Sequence, residues 1–110
     1  MKFLHHIHLK LHTHQYLKIS SNLLLDGTRT AEQVREDFTA ALKEYLSGLV
    51  FRTYRVSFAQ IGSLLLSTDG IMDYEGLMVN GTAGNVMIGA KAIPVLGTVN
   101  LTEVSALAAD

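Results

Sequence analysis

Five histidines are the residues of this chain with the clearest capacity for chemistry, and all of them precede Gln15. His6 and His8 are separated by one intervening residue, as are His12 and His14, so on an extended strand each pair projects to one side about 7 Å apart. Pairs of this H-x-H type ligate zinc, nickel or copper. One reading is therefore a metal-binding module using His6, His8, His12 and His14. The other is a polar strand face rich in His, because no Asp, Glu or Cys lies nearby in sequence to complete a second shell.

The acids offer less. Glu32, Glu36, Asp37 and Glu44 fall on or near the exposed side of a helical stripe and read as a solvated face. Asp69, Asp73 and Glu75 cluster at a strand start, where a catalytic carboxylate pair is conceivable, yet helix ending and turn formation account for Asp69. No Ser–His–acid arrangement can be built when every His sits in one terminal segment. Gly81, Gly84, Gly89 and Gly97 match neither a P-loop nor a dinucleotide-binding turn. Gly81-Thr82-Ala83-Gly84 has no Lys or Arg beside it, so a hairpin loop is a better reading than an anion-binding concavity. We assign no catalytic, cofactor-binding or metal residue and expect no enzyme activity.

Composition narrows the partners. A formal net charge of −1, with Lys and Arg scattered rather than clustered, argues against nucleic acid and anionic membrane surfaces. There is no Cys, which excludes disulfides and thiolate chemistry. The longest Leu runs, Leu23–Leu25 and Leu64–Leu66, fall far short of the ~20 apolar residues that span a bilayer. His5, His6, His8 and Lys10 interrupt the opening apolar stretch, so no export signal is read. The glycosylation triplets Asn80-Gly81-Thr82 and Asn100-Leu101-Thr102 are accordingly taken as coincidental. The hydrophobic fraction of 48% is enough for one core without metal or disulfide support.

The elements that would position these residues follow from periodicity. Phe3, Ile7, Leu9 and Leu11, and again Leu17, Ile19, Leu23 and Leu25, put apolar residues at odd positions, which predicts a half-buried strand. That run exceeds the usual ~5–6 residues, so two pieces are expected, with a bend near Thr13–Tyr16 and a turn at Asp26-Gly27. Thr30 and Gln33 have capping-box spacing, and Val34, Phe38, Ala41, Leu42, Tyr45 and Leu46 form one stripe, predicting a helix over Thr30–Ser47 stopped by Gly48. Leu49–Val56 reads as a connector. Ser57 with Gln60 opens a second helix with Phe58, Ile61, Leu64 and Leu65 inward, ended by Asp69-Gly70.

Ile71–Val79 and Val86–Ile88 read as a hairpin. A two-residue Asn80-Gly81 turn would set Leu77 opposite Gly84. A Gly81–Gly84 loop instead pairs Val79 with Val86 and Leu77 with Ile88, and is preferred because register follows the apolar pattern. Pro94 suits an edge strand or strand start. Thr98–Val104 is extended, and residues 105–110 form a loose tail. The expected architecture is α+β: two helices on one face of a small, largely antiparallel sheet, in the order β-α-α-β-β-β.

The ordered set Ser57–Gly81 (SFAQIGSLLLSTDGIMDYEGLMVNG), Ala83–Gly89 (AGNVMIG) and Ile93–Leu101 (IPVLGTVNL) resembles the C-terminal part of baseplate J-like proteins, wedge components of contractile phage tails and related prophage-derived particles. The likeness covers about Gln15 to Val104, which delimits a single assembly domain over residues 15–104. Residues 1–14 lie outside it, as a His-rich extended segment that is either a linker or non-native. The resemblance implies a structural role without cofactors or small-molecule substrates. Its implied partners are other baseplate and tail subunits or further copies of the chain. It implies a place in the virion tail baseplate, reached by assembly in the bacterial cytoplasm. The contact surfaces expected from loop and edge chemistry are the Gly81–Gly84 loop, the Pro94 segment and the strand before Asp26.

Overall fold

The structure, a computed structural model, describes residues 13–49 and 55–107. The elements run β1 (Thr13–Leu25), α1 (Ala31–Leu49), β2 (Arg55–Val56), α2 (Phe58–Leu66), β3 (Ile71–Val79), β4 (Val86–Met87) and β5 (Ala92–Glu103). The fold is α+β, as expected. Its main sheet has the order β3-β1-β5, and β2 pairs with β4 in a separate two-stranded ribbon. The main sheet is mixed: β1 runs antiparallel to β3 and parallel to β5.

The two-residue period of β1 sets the layering. Leu17, Ile19, Ser21 and Leu23 are buried on one face, while Lys18 and Asn22 are exposed on the other. β1 is unbroken through Thr13–Tyr16, so the expected bend is absent there. The strand instead accommodates its neighbours through bulges, in which one chain carries an extra residue. Pairing steps from Leu17–Leu96 to Lys18–Thr98, which leaves Gly97 as the extra residue in β5. A Cβ at Gly97 would lie 3.0 Å from the Leu17 carbonyl, so the bulge brings two backbones together where only glycine fits comfortably. Against β3, pairing steps from Ser20–Met78 to Asn22–Glu75, and Gly76 takes φ +66°. The Ser21 hydroxyl donates to the Glu75 carbonyl at 3.0 Å, which explains how a polar side chain occupies an apolar-face position.

The helices cover that apolar face, α1 mainly over β5 and α2 over β3. Thr30 and Gln33 form the expected capping box: the Gln33 amide donates to Thr30 Oγ1 at 3.1 Å and the Thr30 amide to Gln33 Oε1 at 3.0 Å. Val34, Phe38, Leu42 and Leu46 form the buried stripe of α1. Gly48 does not stop the helix, which continues through Leu49 without a positive φ at Gly48. Ile61, Gly62 and Leu65 are buried on α2, which ends at Leu66 before the Asp69-Gly70 turn.

Gly70 is the tightest point of that turn. Its φ is +94°, and a Cβ there would lie 2.7 Å from both Cβ and Cγ of Arg29. The Gly70 carbonyl accepts from the Asp26 amide at 2.9 Å, so this turn also closes the end of β1.

The expected hairpin between Ile71–Val79 and Val86–Ile88 does not form. β3 pairs with β1, and Val86 pairs with Val56 of β2 rather than with Val79. Asn80-Gly81 makes the two-residue turn itself: φ is +53° and +78°, and Val79 and Thr82 exchange backbone hydrogen bonds of 2.9 and 3.1 Å. Positive φ at both central residues is the type I′ signature. Leu77 needs no partner at Gly84, because β1 supplies the neighbouring strand. The apolar complementarity of Val79/Leu77 with Val86/Ile88 reflected a shared core, to which Leu77, Val79 and Ile88 all belong with Val86 packed against it.

Candidate functional site

Each surface expected from the sequence can now be placed. The strand before Asp26 is β1, at the centre of the sheet, so its backbone is paired on both sides and only its outer face is available. Pro94 lies on an edge strand, but its side chain is buried. The open part of β5 is further along, at Thr98–Thr102, where Thr98, Asn100 and Thr102 are exposed. The loop after β3 does project: Gly81, Thr82 and Ala83 are all exposed.

That loop is a braced structure. Asn80 and Lys18 exchange two hydrogen bonds, and the Thr82 hydroxyl donates to the Val79 carbonyl at 3.0 Å. Asn85 Oδ1 accepts from the Phe58 amide at 2.8 Å at the start of α2. Ser57 Oγ accepts from the Gln60 amide at 3.2 Å, and Tyr45 Oη accepts from the Ser57 amide at 3.1 Å. A helix start has amides without intrahelical partners. Here α1, the loop and the cap residue each satisfy one of them. With the Thr82 amide also committed to Val79, the loop is not arranged as an anion-binding concavity.

Gln15 braces the segment beyond. Its Nε2 donates to the Met87 carbonyl at 2.8 Å and its Oε1 accepts from the Gly89 amide at 3.1 Å. One side-chain amide thereby acts as a further rung of backbone pairing. Neither Gln15 nor Asn85 carries a sequence signal for this role, since their partners lie 72 and 27 residues away.

The acids do not converge. Asp73 and Glu75 occupy β3 positions opposite Leu24 and Asn22, whereas Asp69 lines a shallow depression between the helices with Asp37, Ala41 and Ser67. Asp37 is ion-paired with Arg29, and Glu32 with Arg35. Hydrogen bonding from Arg35 holds the Glu32 carboxyl below its ordinary range. Asp26 is likewise held low by the Thr28 hydroxyl and amide, which both donate to its Oδ1 at 2.6 and 2.9 Å. Both are surface carboxylates, Glu32 in the first turn of α1 and Asp26 in the turn after β1.

Of the proposed metal ligands, His6, His8 and His12 lie outside the described residues. His14 stands on the exposed outer face of β1, its ring edge-on to Tyr16 with centroids 6.1 Å apart. Among the described residues no group of three His, Asp or Glu could hold a metal. Among them, too, no helix is long and apolar enough to cross a membrane.

Comparison with known proteins adds two findings. The family model described as baseplate J-like protein C-terminal domain matches residues 17–102, which takes in nearly all of β1 through β5. Two proteins of Bacillus subtilis (strain 168) are similar over 87 residues: the uncharacterized protein YqbT at 25% identity and the phage-like element PBSX protein XkdT at 22%. Each alignment covers 79% of this chain and 25% of the relative, so the chain spans about a quarter of their length.

Proposed function

The chain belongs to the baseplate J-like protein C-terminal domain family, and we propose that it serves as a structural module of a contractile-tail baseplate, acting through protein–protein contacts in assembly. The observation that carries this is the extent of the match, from Leu17 in β1 to Thr102 in β5. The residues spent on structure agree with it. Polar side chains such as Ser21, Gln15, Asn80 and Asn85 hold backbone together instead of converging on a cleft.

The assembly domain is residues 15–104. Its partners are other baseplate and tail subunits, without nucleic acid, lipid or small-molecule substrate, and its place is the virion tail baseplate after assembly in the bacterial cytoplasm. The braced loop at Gly81–Gly84 is the contact surface we assign first, because a rigid projecting loop loses little entropy on docking. The test is replacement of the exposed Ala83 by Glu in a particle-forming phage element that carries this domain. Electron microscopy is expected to show loss of complete tails while the isolated domain keeps its melting temperature. Tails formed at normal yield would count against the loop.

A further inference from the structure

We propose that β5 pairs with β5 of a second copy of this chain, antiparallel across a two-fold axis at Asn100, giving one continuous six-stranded sheet. The proposal stands on the edge itself and does not depend on the baseplate reading.

The two edges of the main sheet differ. β3 carries two bulges against β1, positive φ at Gly76, and the charges of Asp73 and Glu75, all features that blunt an edge. The first half of β5 is blunted by Pro94 and the Gly97 bulge. From Thr98 to Thr102 the edge is regular and uncharged, in unbroken register with Lys18–Asn22 of β1. Among the described residues no strand lies on its outer side.

The backbone there points the right way. The Val104 amide donates to the Leu23 carbonyl at 2.8 Å, so it faces β1. Amides alternate sides along a strand, so those of Thr98, Asn100 and Thr102 also face β1 while those of Val99 and Leu101 face outward. Each outward residue offers a donor and an acceptor that a further strand would satisfy.

The occupant follows from the sequence of this edge, Thr98-Val99-Asn100-Leu101-Thr102, which reads alike in both directions by residue type. With Asn100 opposite Asn100 of the second copy, Thr98 meets Thr102 and Val99 meets Leu101. The Thr and Asn pairs lie on the exposed face, and the half-buried Val and Leu pairs lie on the helix-covered face. Val99 and Leu101 would be the hydrogen-bonded positions, the arrangement an antiparallel pair requires. Glu103 falls opposite Gly97, so no like charges are opposed. A self-complementary patch is what a two-fold interface needs.

Sedimentation equilibrium of the 110-residue chain at submillimolar concentration is expected to show a monomer–dimer equilibrium. Asn100→Asp and Asn100→Lys, each placing like charges face to face at the axis, should separately weaken it on the order of tenfold or more. An equimolar mixture of the two should restore the dimer. Val99→Pro, which removes an outward amide without touching the β1 ladder, should also abolish it, with unchanged far-UV circular dichroism in every variant. Hydrogen exchange should show protection at Val99 and Leu101 that falls on dilution, while Asn100 stays protected. A strictly monomeric wild type, or a dimer indifferent to the Asn100 charges, overturns the proposal.

Discussion

Asn80 completes a strand pairing with Lys18 from a position where its own backbone cannot. The Asn80 amide donates to the Lys18 carbonyl at 2.8 Å, and the Lys18 amide donates to Asn80 Oδ1, also at 2.8 Å. The Ile19–Val79 register brings these two residues opposite each other, where a regular ladder would use the Asn80 carbonyl. With φ at +53°, the side-chain oxygen takes the place of that carbonyl. Asparagine suits both demands, being tolerant of the left-handed region and equipped with an acceptor. Asn80→Gly should keep the turn and lose the acceptor, costing about 1 kcal/mol. Asn80→Ala should lose both, costing about 2 kcal/mol. Urea unfolding of the two variants separates the contributions.

Gly70 and Gly48 should respond in opposite directions to the same change. Gly70→Ala combines a φ of +94° with a Cβ 2.7 Å from Arg29, and is expected to destabilise by about 2–4 kcal/mol. Gly48→Ala lies in α1 with open space around the new methyl, and should stabilise by up to about 1 kcal/mol. Thermal melts of the two variants should shift to either side of the parent.

Gly62 on α2 meets Tyr74 on β3. A Cβ at Gly62 would stand 2.4 Å from Tyr74 Oη, but 3.5 Å from Cζ. Gly62→Ala is therefore expected to cost about 1–2 kcal/mol, and most of that cost should vanish in a Tyr74→Phe background. A double-mutant cycle by chemical denaturation measures the coupling, and additive effects would show that the hydroxyl is not the obstacle.

Gln15→Ala removes both bonds that tie the segment at Met87 and Gly89 to β1. The expected loss is about 1–2 kcal/mol, with the Gly89 amide losing its protection from hydrogen exchange first. Gln15→Glu keeps the acceptor for Gly89 and loses the donor to Met87, so Gly89 should remain the better protected in that variant.

Asp26 makes stability depend on acid. Its carboxyl is held below the usual range by Thr28, so it ionises more readily in the folded chain than in the unfolded one. The contribution is complete above the ordinary aspartate range and is lost as pH falls through the lowered value. Thr28→Val should bring the Asp26 titration, followed by NMR, back toward an ordinary aspartate and flatten the fall in stability below pH ~4.

Much of this fold is local and was legible from the chain alone. The alternation of Leu17, Ile19 and Leu23, the capping box of Thr30 and Gln33, the stripe from Val34 to Leu46 and the cap at Ser57 all stand in the structure. Each depends on residues within a few positions of one another, so pattern determines which face turns inward. Pattern does not say which strand lies beside which. Any apolar-faced strand can cover another, and Val79 matched Val86 as well as it matched Ile19. Only the assembled core decided that β3 joins β1, that β5 runs parallel on the other side, and that Gly48 continues a helix while Gly70 fits against Arg29. The candidate surfaces divide in the same way. The projecting turn after Val79 was visible in Asn80-Gly81, whereas the open edge at Thr98–Thr102 exists because long-range pairing leaves β5 outermost.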